Sequence, residues 1–284
     1  MPSNKTFSIR KMKEDEVQLA INWAAKEGWN PGLVDAECFY KADPNGFFVG
    51  LLDNEPIAVG SAVAYDDHFA FCGLYIVKPE FRGQGYGIQL TQERLKYVGN
   101  RITGLDGVLD KVSKYERLGY ISSYKNTRYV FQNSLALKTA SPNIVDLRKY
   151  SIKNLETFDR QFFPAPRTAF LISWINQPQS HALGYVQDQK LMGYGVIRKC
   201  LDGHKIGPLF AQSPEIANAL FISLCSKIQA GPVFLDIPEL NNEGLALAKH
   251  YKMTPKFEVI RMYRNGFPEV NISGVFGITT FELG

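Results

Sequence analysis

Apolar and polar positions alternate from the start of the chain, and Phe7-Ser8-Ile9-Arg10-Lys11-Met12 reads as a strand. Lys13-Glu14-Asp15-Glu16 then sets acids ahead of Val17, Leu19, Ala20, Ile21 and Trp23, the pattern of a helix start. Gly46 to Leu52 and Pro56 to Tyr65 read as two strands joined at Asp53-Asn54-Glu55, a hairpin-type turn. A third apolar run, Phe69 to Val77, stops at Lys78-Pro79. The spacing of Ile88, Leu90, Leu95 and Val98 predicts a helix over Tyr86 to Val98. A short strand at Ile102 to Leu105, a helix near Lys111 to Leu118 and a strand from Tyr124 to Gln132 complete the order βα-β-β-β-α-β-α-β. The stretch Asn133 to Asn143, with Ser134, Thr139, Ala140, Ser141 and Pro142, reads as a linker.

Beyond it the pattern returns at an offset of 133 residues. Gly60-Ser61-Ala62-Val63 falls on Gly193-Tyr194-Gly195-Val196, and Tyr124 and Arg128 fall on Phe257 and Arg261. The strand ending at Val77 falls on Pro208-Leu209-Phe210, with a helix next in both halves. Several matches in one register indicate a duplicated fold, and 284 residues suffice for two domains.

Composition narrows the classes. At 45% hydrophobic and 21% charged residues the chain is an ordinary globular one. A net charge of +4 with no Lys/Arg-rich run suits a partner carrying a few phosphates and falls short of a nucleic-acid binder. The polar N-terminus has no apolar core of a signal peptide, and no stretch approaches 18 apolar residues, so we expect no membrane partner and a cytoplasmic location. Cys38, Cys72, Cys200 and Cys225 lack metal or disulfide spacing, and no metal is expected.

The chemistry concentrates in Leu74-Tyr75-Ile76-Val77-Lys78-Pro79-Glu80-Phe81-Arg82-Gly83-Gln84-Gly85-Tyr86-Gly87-Ile88. A strand runs through a Pro turn and a glycine-rich loop into a helix. Glycines allow close approach of the backbone, and free N–H groups at the helix start attract phosphate oxygens. Arg82 adds a charge-assisted donor. A P-loop would need Gly-Lys-Ser/Thr, which is missing. A dinucleotide fingerprint would need glycine at Ile88 and a place in the first βα unit. What remains is Arg/Gln-x-x-Gly-x-Gly, filled by Arg82, Gly85 and Gly87.

On these residues, together with Tyr115-Glu116-Arg117-Leu118-Gly119-Tyr120, the N-terminal half resembles the GNAT acetyltransferases. The C-terminal half resembles the YitH-type domain through Gly193 to Arg198, Lys205 to Phe210, Phe234 to Pro238 and the tail Val275 to Gly284. The resemblance implies a mixed α/β fold: tandem GNAT-like domains, each a mostly antiparallel mixed sheet flanked by helices. Residues 1–133 would bind acetyl-CoA, 134–143 would link, and 144–284 would form a degenerate domain. It further implies that Tyr75, Ile76 and Val77 offer backbone groups to the pantetheine arm and the acetyl carbonyl. Arg82, Gly83, Gln84, Gly85, Tyr86, Gly87 and Ile88 would hold the pyrophosphate, and Tyr115 would protonate the departing thiolate. The upstream asparagine common in the family is absent, and Asp106 to Asp110 stands in its place.

The acceptor amine would attack directly, so no nucleophilic side chain is needed. For the base, Asp67 is the candidate, with Asp66, His68 and Glu37 as further choices; two adjacent aspartates also fit a solvated turn. In the 133-residue register Glu215 faces the place of Arg82 and Ala248 that of Tyr115, so we expect no cofactor in the second half. That half is expected to wall the acceptor cleft, with Asp159, Arg167, Asp236 and Arg261 as polar contacts or ordinary ion-pair residues. The expected acceptor is a small-molecule primary amine, against a non-catalytic acyl-CoA sensor or a protein acetyltransferase. A monomer is favoured, since two fused domains can cover each other's sheet edges.

Overall fold

The computed structural model describes residues 6–133 and 141–284. Most of the linker expected at 134–143 lies outside the described residues. The first half runs β1 (Phe7–Lys11), α1 (Val17–Lys26), α2 (Asp35–Ala42), β2 (Phe47–Leu52), β3 (Glu55–Ala64), β4 (Phe69–Val77), α3 (Tyr86–Val98), β5 (Ile102–Val108), α4 (Val112–Glu116) and β6 (Ile121–Asn133). The second runs β7 (Ile144–Asp146), α5 (Ile152–Asp159), α6 (Thr168–Asn176), β8 (Ser180–Gln187), β9 (Lys190–Lys199), β10 (His204–Ala211), α7 (Pro214–Cys225), β11 (Gly231–Pro238), α8 (Asn242–His250), β12 (Thr254–Arg264) and β13 (Val275–Gly277). This is the mixed α/β order expected, with α2 added. The expected turn carries Asp53 and Asn54 in the left-handed region that a two-residue hairpin loop demands.

All the strands of the described residues join one sheet, in the order β1-β2-β3-β4-β5-β12-β6-β11-β10-β9-β8-β7, with β13 beside β10. The two halves therefore exchange their last long strands. β12, from the second half, lies against β5 of the first, and β6 lies against β11. The exchange is locked by two cross-strand pairs in register. Arg128 of β6 faces Asp236 of β11 and donates at 2.6 and 2.7 Å, and Arg261 of β12 faces Asp106 of β5 and donates at 2.7 Å from both Nε and Nη2. All four side chains are buried. The guanidinium planes also cover the rings of Phe281 and Phe71, at 4.6 and 4.8 Å. Arg128 and Arg261 are the pair that the 133-residue offset superposes, so the duplication is visible in the ion pairs.

Helices cover both faces. α3 packs on one side through Leu90 and Val98 against Ala58, Ala62 and Cys72, and α7 occupies the matching place in the second half through Leu220 and Leu224. On the other side α1, α2, α5 and α6 share one apolar cluster, in which Phe39 stacks on Trp174 with ring centroids 6.2 Å apart. Asp35 of α2 accepts from Arg198 of β9 at 2.9 Å beneath that stack. Asp159 and Arg167 form a fourth buried pair at 2.7 Å, within the second half.

Removing one partner of a buried pair leaves an uncompensated charge, whereas replacing both with apolar side chains does not. Asp236→Ala should lose about 3–5 kcal/mol of unfolding free energy in chemical denaturation, and the double change Arg128→Met, Asp236→Leu should recover most of it.

Candidate active site

Two local features open a cleft in the first half. Between the pairs Val59↔Ile76 and Ser61↔Gly73, β3 has one residue, Gly60, where β4 has Leu74 and Tyr75. This is a β-bulge, and Leu74 takes a positive φ of 47° within it. The bulge turns β4 away from β5, whose parallel pairing covers only Phe69–Cys72 against Ile102–Leu105. Beyond Cys72 the two strands diverge, leaving the β5-side edge of Gly73–Val77 unpaired. Tyr75, Ile76 and Val77, the strand residues singled out from the sequence, all line the space between. Arg94 of α3 pins the bulge from beneath. It is 5% exposed, donates to the carbonyls of Ser61 at 2.8 Å and Gly73 at 3.2 Å, and lies 5.3 Å from the Tyr75 ring.

At the mouth of the cleft the chain turns through residues 78–85 into α3. Gly83 and Gly85 take φ of 78° and 87°, conformations that cost any other residue strain. The N–H groups of Gly83, Gln84, Gly85, Tyr86, Gly87 and Ile88 have no acceptor among the described residues, because helical bonding starts with Gln89 donating to Gly85. Gly87 has a different reason to be glycine: a β-carbon there would run into the Tyr75 hydroxyl. Arg82 borders this nest, held by the Val77 carbonyl at 2.8 Å and by Glu27 at 2.5 Å. The side chain of Gln84 turns back to the Glu80 carbonyl, and the Tyr86 ring packs 4.8 Å from Phe7. Those two residues therefore offer the loop their N–H groups, while their side chains hold its shape.

The cleft has a volume of about 930 Å³ and runs from this loop to the boundary with the second half. Tyr115 lines it from the α4 side, its ring against Gly107, and its hydroxyl has no hydrogen bond among the described residues. Burial pushes that hydroxyl up from the ordinary phenol value, so it holds its proton at neutral pH. At the far end the wall comes from Trp29, from Phe257 and Val259 of β12, and from Phe281 and Glu282 of the tail. The second half does line the cleft, through residues other than those expected. Asp159, Arg167, Asp236 and Arg261 are all committed to buried ion pairs.

Asp67 requires a correction as the candidate base. Its side chain is 96% exposed on the turn before β4, 3.5 Å from Arg101 and outside the cleft, because a chain reversal there points it to solvent. Its neighbour Asp66 caps the same turn, accepting from the N–H groups of His68 and Phe69. Sequence reasoning also missed Arg94, Trp29, Phe257 and Glu282. Two of these left a signal: Arg94 is a charge on the stripe of Leu90 and Val98, and Glu282 is the sole acid in the apolar tail.

The second half repeats the bulge, with Gly207 and Pro208 between the pairs Ile206↔Ile197 and Leu209↔Gly195, opposite Val196 alone. Its splay is closed by the chain itself. β13 pairs with β10 through Leu209↔Gly277 and Phe210↔Val275, and Ile278 donates to the Asp236 carbonyl of β11. Only residues 212–213 separate β10 from α7, so the ungapped alignment of Glu215 with Arg82 does not survive. The structure has no counterpart of the loop there. Ser213 caps α7 by accepting from Ile216, and Ala248 is buried in α8.

Comparison with known proteins agrees with both halves. Residues 14–120 match the Acetyltransferase (GNAT) family and residues 155–277 match an Acetyltransferase (GNAT) domain. Holothin acyltransferase of Pseudoalteromonas sp. (strain SANK 73390) is 28% identical over 285 residues, covering 100% of this chain and 97% of that protein. The uncharacterized N-acetyltransferase YitH of Bacillus subtilis is 24% identical over 168 residues, 58% of this chain and 59% of that protein. A putative acetyltransferase from Pyrococcus horikoshii superposes with a TM-score of 0.83 at 20% identity, covering 98% of this chain and 96% of its own. A tandem GNAT protein from the clavulanic acid biosynthesis pathway gives 0.65 at 12%, covering 93% and 100%. The chain belongs to the GNAT acetyltransferase superfamily. Since it carries the fold twice, it is a tandem GNAT acyltransferase.

The loop glycines separate backbone strain from steric closure. Gly85→Ala should cost about 1 kcal/mol of stability from its positive φ alone, with open space around the new methyl group. Gly87→Ala should instead push Tyr75 aside, read in near-UV circular dichroism as a change in the tyrosine signal.

Proposed function

We propose that the chain transfers an acetyl group from acetyl-CoA to the primary amine of a small molecule, by direct attack in a ternary complex. The observation that carries this reading is the unbroken run of six free N–H groups at the mouth of a cleft that leads to Tyr115. The residues fit the ligand. Gly83 to Ile88 would receive the pyrophosphate at the start of α3, with Arg82 beside it. The unpaired edge of Gly73–Val77 matches the amide-bearing pantetheine arm, which needs strand-like partners. Acetyl-CoA supplies an acetyl group activated as a thioester. Tyr115 holds a proton within the cleft and so can protonate a departing sulfur.

The acceptor end is walled by both halves, and this favours a small molecule over a protein side chain, which would need an open groove. By its name, holothin acyltransferase transfers an acyl group to holothin, and its alignment along this whole chain supports the same class of chemistry here. In the second half the plugged splay and the two-residue loop support a domain without its own cofactor. The four buried free cysteines suit a reducing, cytoplasmic compartment, and the continuous sheet suits a monomer.

Calorimetric titration of acetyl-CoA should give micromolar binding at one site per chain, lost in the Arg82→Glu, Gly85→Ala double variant. Two sites would overturn the reading of the second half, and no binding in wild type would overturn the cofactor. Tyr115→Phe should retain acetyl-CoA binding and lower kcat by about 10- to 100-fold in a free-thiol assay.

A further inference from the structure

Four carboxylates line the cleft: Glu27, Asp106, Asp110 and Glu282. Glu27 is paired with Arg82, Asp106 with Arg261 and Asn126, and Asp110 with Lys111. Glu282 differs. It is 2% exposed, and neither carboxylate oxygen has a hydrogen-bond partner among the described residues. Buried acids are ordinarily supplied with donors, and these two oxygens, closed off beneath the cleft wall, have none among the described residues.

The tail that carries Glu282 is built to hold it there. After β13 closes the second splay, the chain turns through Thr280, whose hydroxyl accepts from the N–H groups of Glu282 and Leu283 at 3.2 and 2.9 Å. Tyr65 of the first half donates to the Leu283 carbonyl at 2.8 Å. The backbone of Glu282 fills the space that a side chain at Gly73 would need, at the bulge of β4. Glu282 thus stands where the splay opens, with the aromatic rings of Trp29, Phe257 and Phe281 lining the same end. Arg128, Arg198 and Lys205 all feel its charge, and the buried Lys205 ammonium has no hydrogen-bond partner among the described residues.

We propose that Glu282, delivered by the second half, is the carboxylate that binds and deprotonates the acceptor amine, and that the acceptor carries its amine on an aromatic or apolar body. The proposal rests on the acetyl-transfer reading above. The carboxylate turns into the lumen as the acceptor arrives, takes one proton from the ammonium and passes it to solvent. The neutral nitrogen then forms the C–N bond as the C–S bond breaks. Once bonded to the acetyl carbon the nitrogen is acidic and sheds its second proton to solvent, while Tyr115 protonates the sulfur and is reprotonated from solvent.

The test compares two near-isosteric probes: 2-phenylethylamine, protonated at pH 7, and O-benzylhydroxylamine, neutral at that pH. With acetyl-CoA, wild type should acetylate both. Glu282→Gln should bind acetyl-CoA as wild type does, lose about 100-fold or more in kcat on 2-phenylethylamine, and stay within about 3-fold on O-benzylhydroxylamine. Glu282→Asp should recover part of the loss. Equal loss on both probes, or none on either, would overturn the proposal in favour of a structural role. Wild type that binds acetyl-CoA yet acetylates lysine in preference to both probes would overturn the acceptor class. Failure to bind acetyl-CoA at all would instead defeat the reading beneath it.

Discussion

Arg128 with Asp236 and Arg261 with Asp106 are the contacts on which the rest of the molecule depends. Each pair joins the last long strand of one half to the fifth strand of the other, and each is buried. Such pairs add little net stability compared with apolar residues of the same size, because desolvation offsets most of their attraction. Their effect is on register. A β-strand slipped by one residue would turn every side chain to the opposite face, and here it would also bury two unpaired charges. The exchange is thereby held in one alignment, and two domains become one sheet.

The cleft inherits its shape from that exchange. With β12 seated beside β5, the wall opposite β4 includes Phe257 and Val259, side chains that belong to the second half. The same crossing lets the tail pass from the second splay to the first. One segment therefore does two jobs: β13 fills the gap between β10 and β11, and Phe281 and Glu282 reach the bulge at Gly73. A duplicated fold has diverged by keeping one splay open and closing the other with its own chain. The open one retains glycines, free N–H groups and a tyrosine. The closed one has a two-residue connection and a conventional serine-capped helix.

Local chemistry made much of this legible. The boundaries of α3 follow from the spacing of its apolar residues, and the loop before it follows from glycines with no other reason to cluster. The offset that superposes Arg128 on Arg261 identified the duplication, even though the same offset fails at Glu215, where the second half has lost the loop. α2 was not read as a separate element because it is short and its buried face carries Asp35 beside Ala36, Cys38 and Phe39. Asp35 is buried only because Arg198, far along the chain, reaches it.

The sequence by itself determined most of the elements, the duplication, the glycine-rich loop and the tyrosine beyond it. Apart from the duplication, which is read from the 133-residue offset, each is a matter of neighbours within about ten residues, where periodicity, glycine conformation and capping act. Tertiary structure alone decided which strand lies beside β5, what fills the second splay, and which carboxylate of the cleft is left without a partner. Those outcomes depend on pairings between distant parts of the chain, such as Leu209 with Gly277 and Asp106 with Arg261. An acid that the chain buries against Arg128 and one that it leaves exposed on the turn at Asp67 look the same until the sheet has formed.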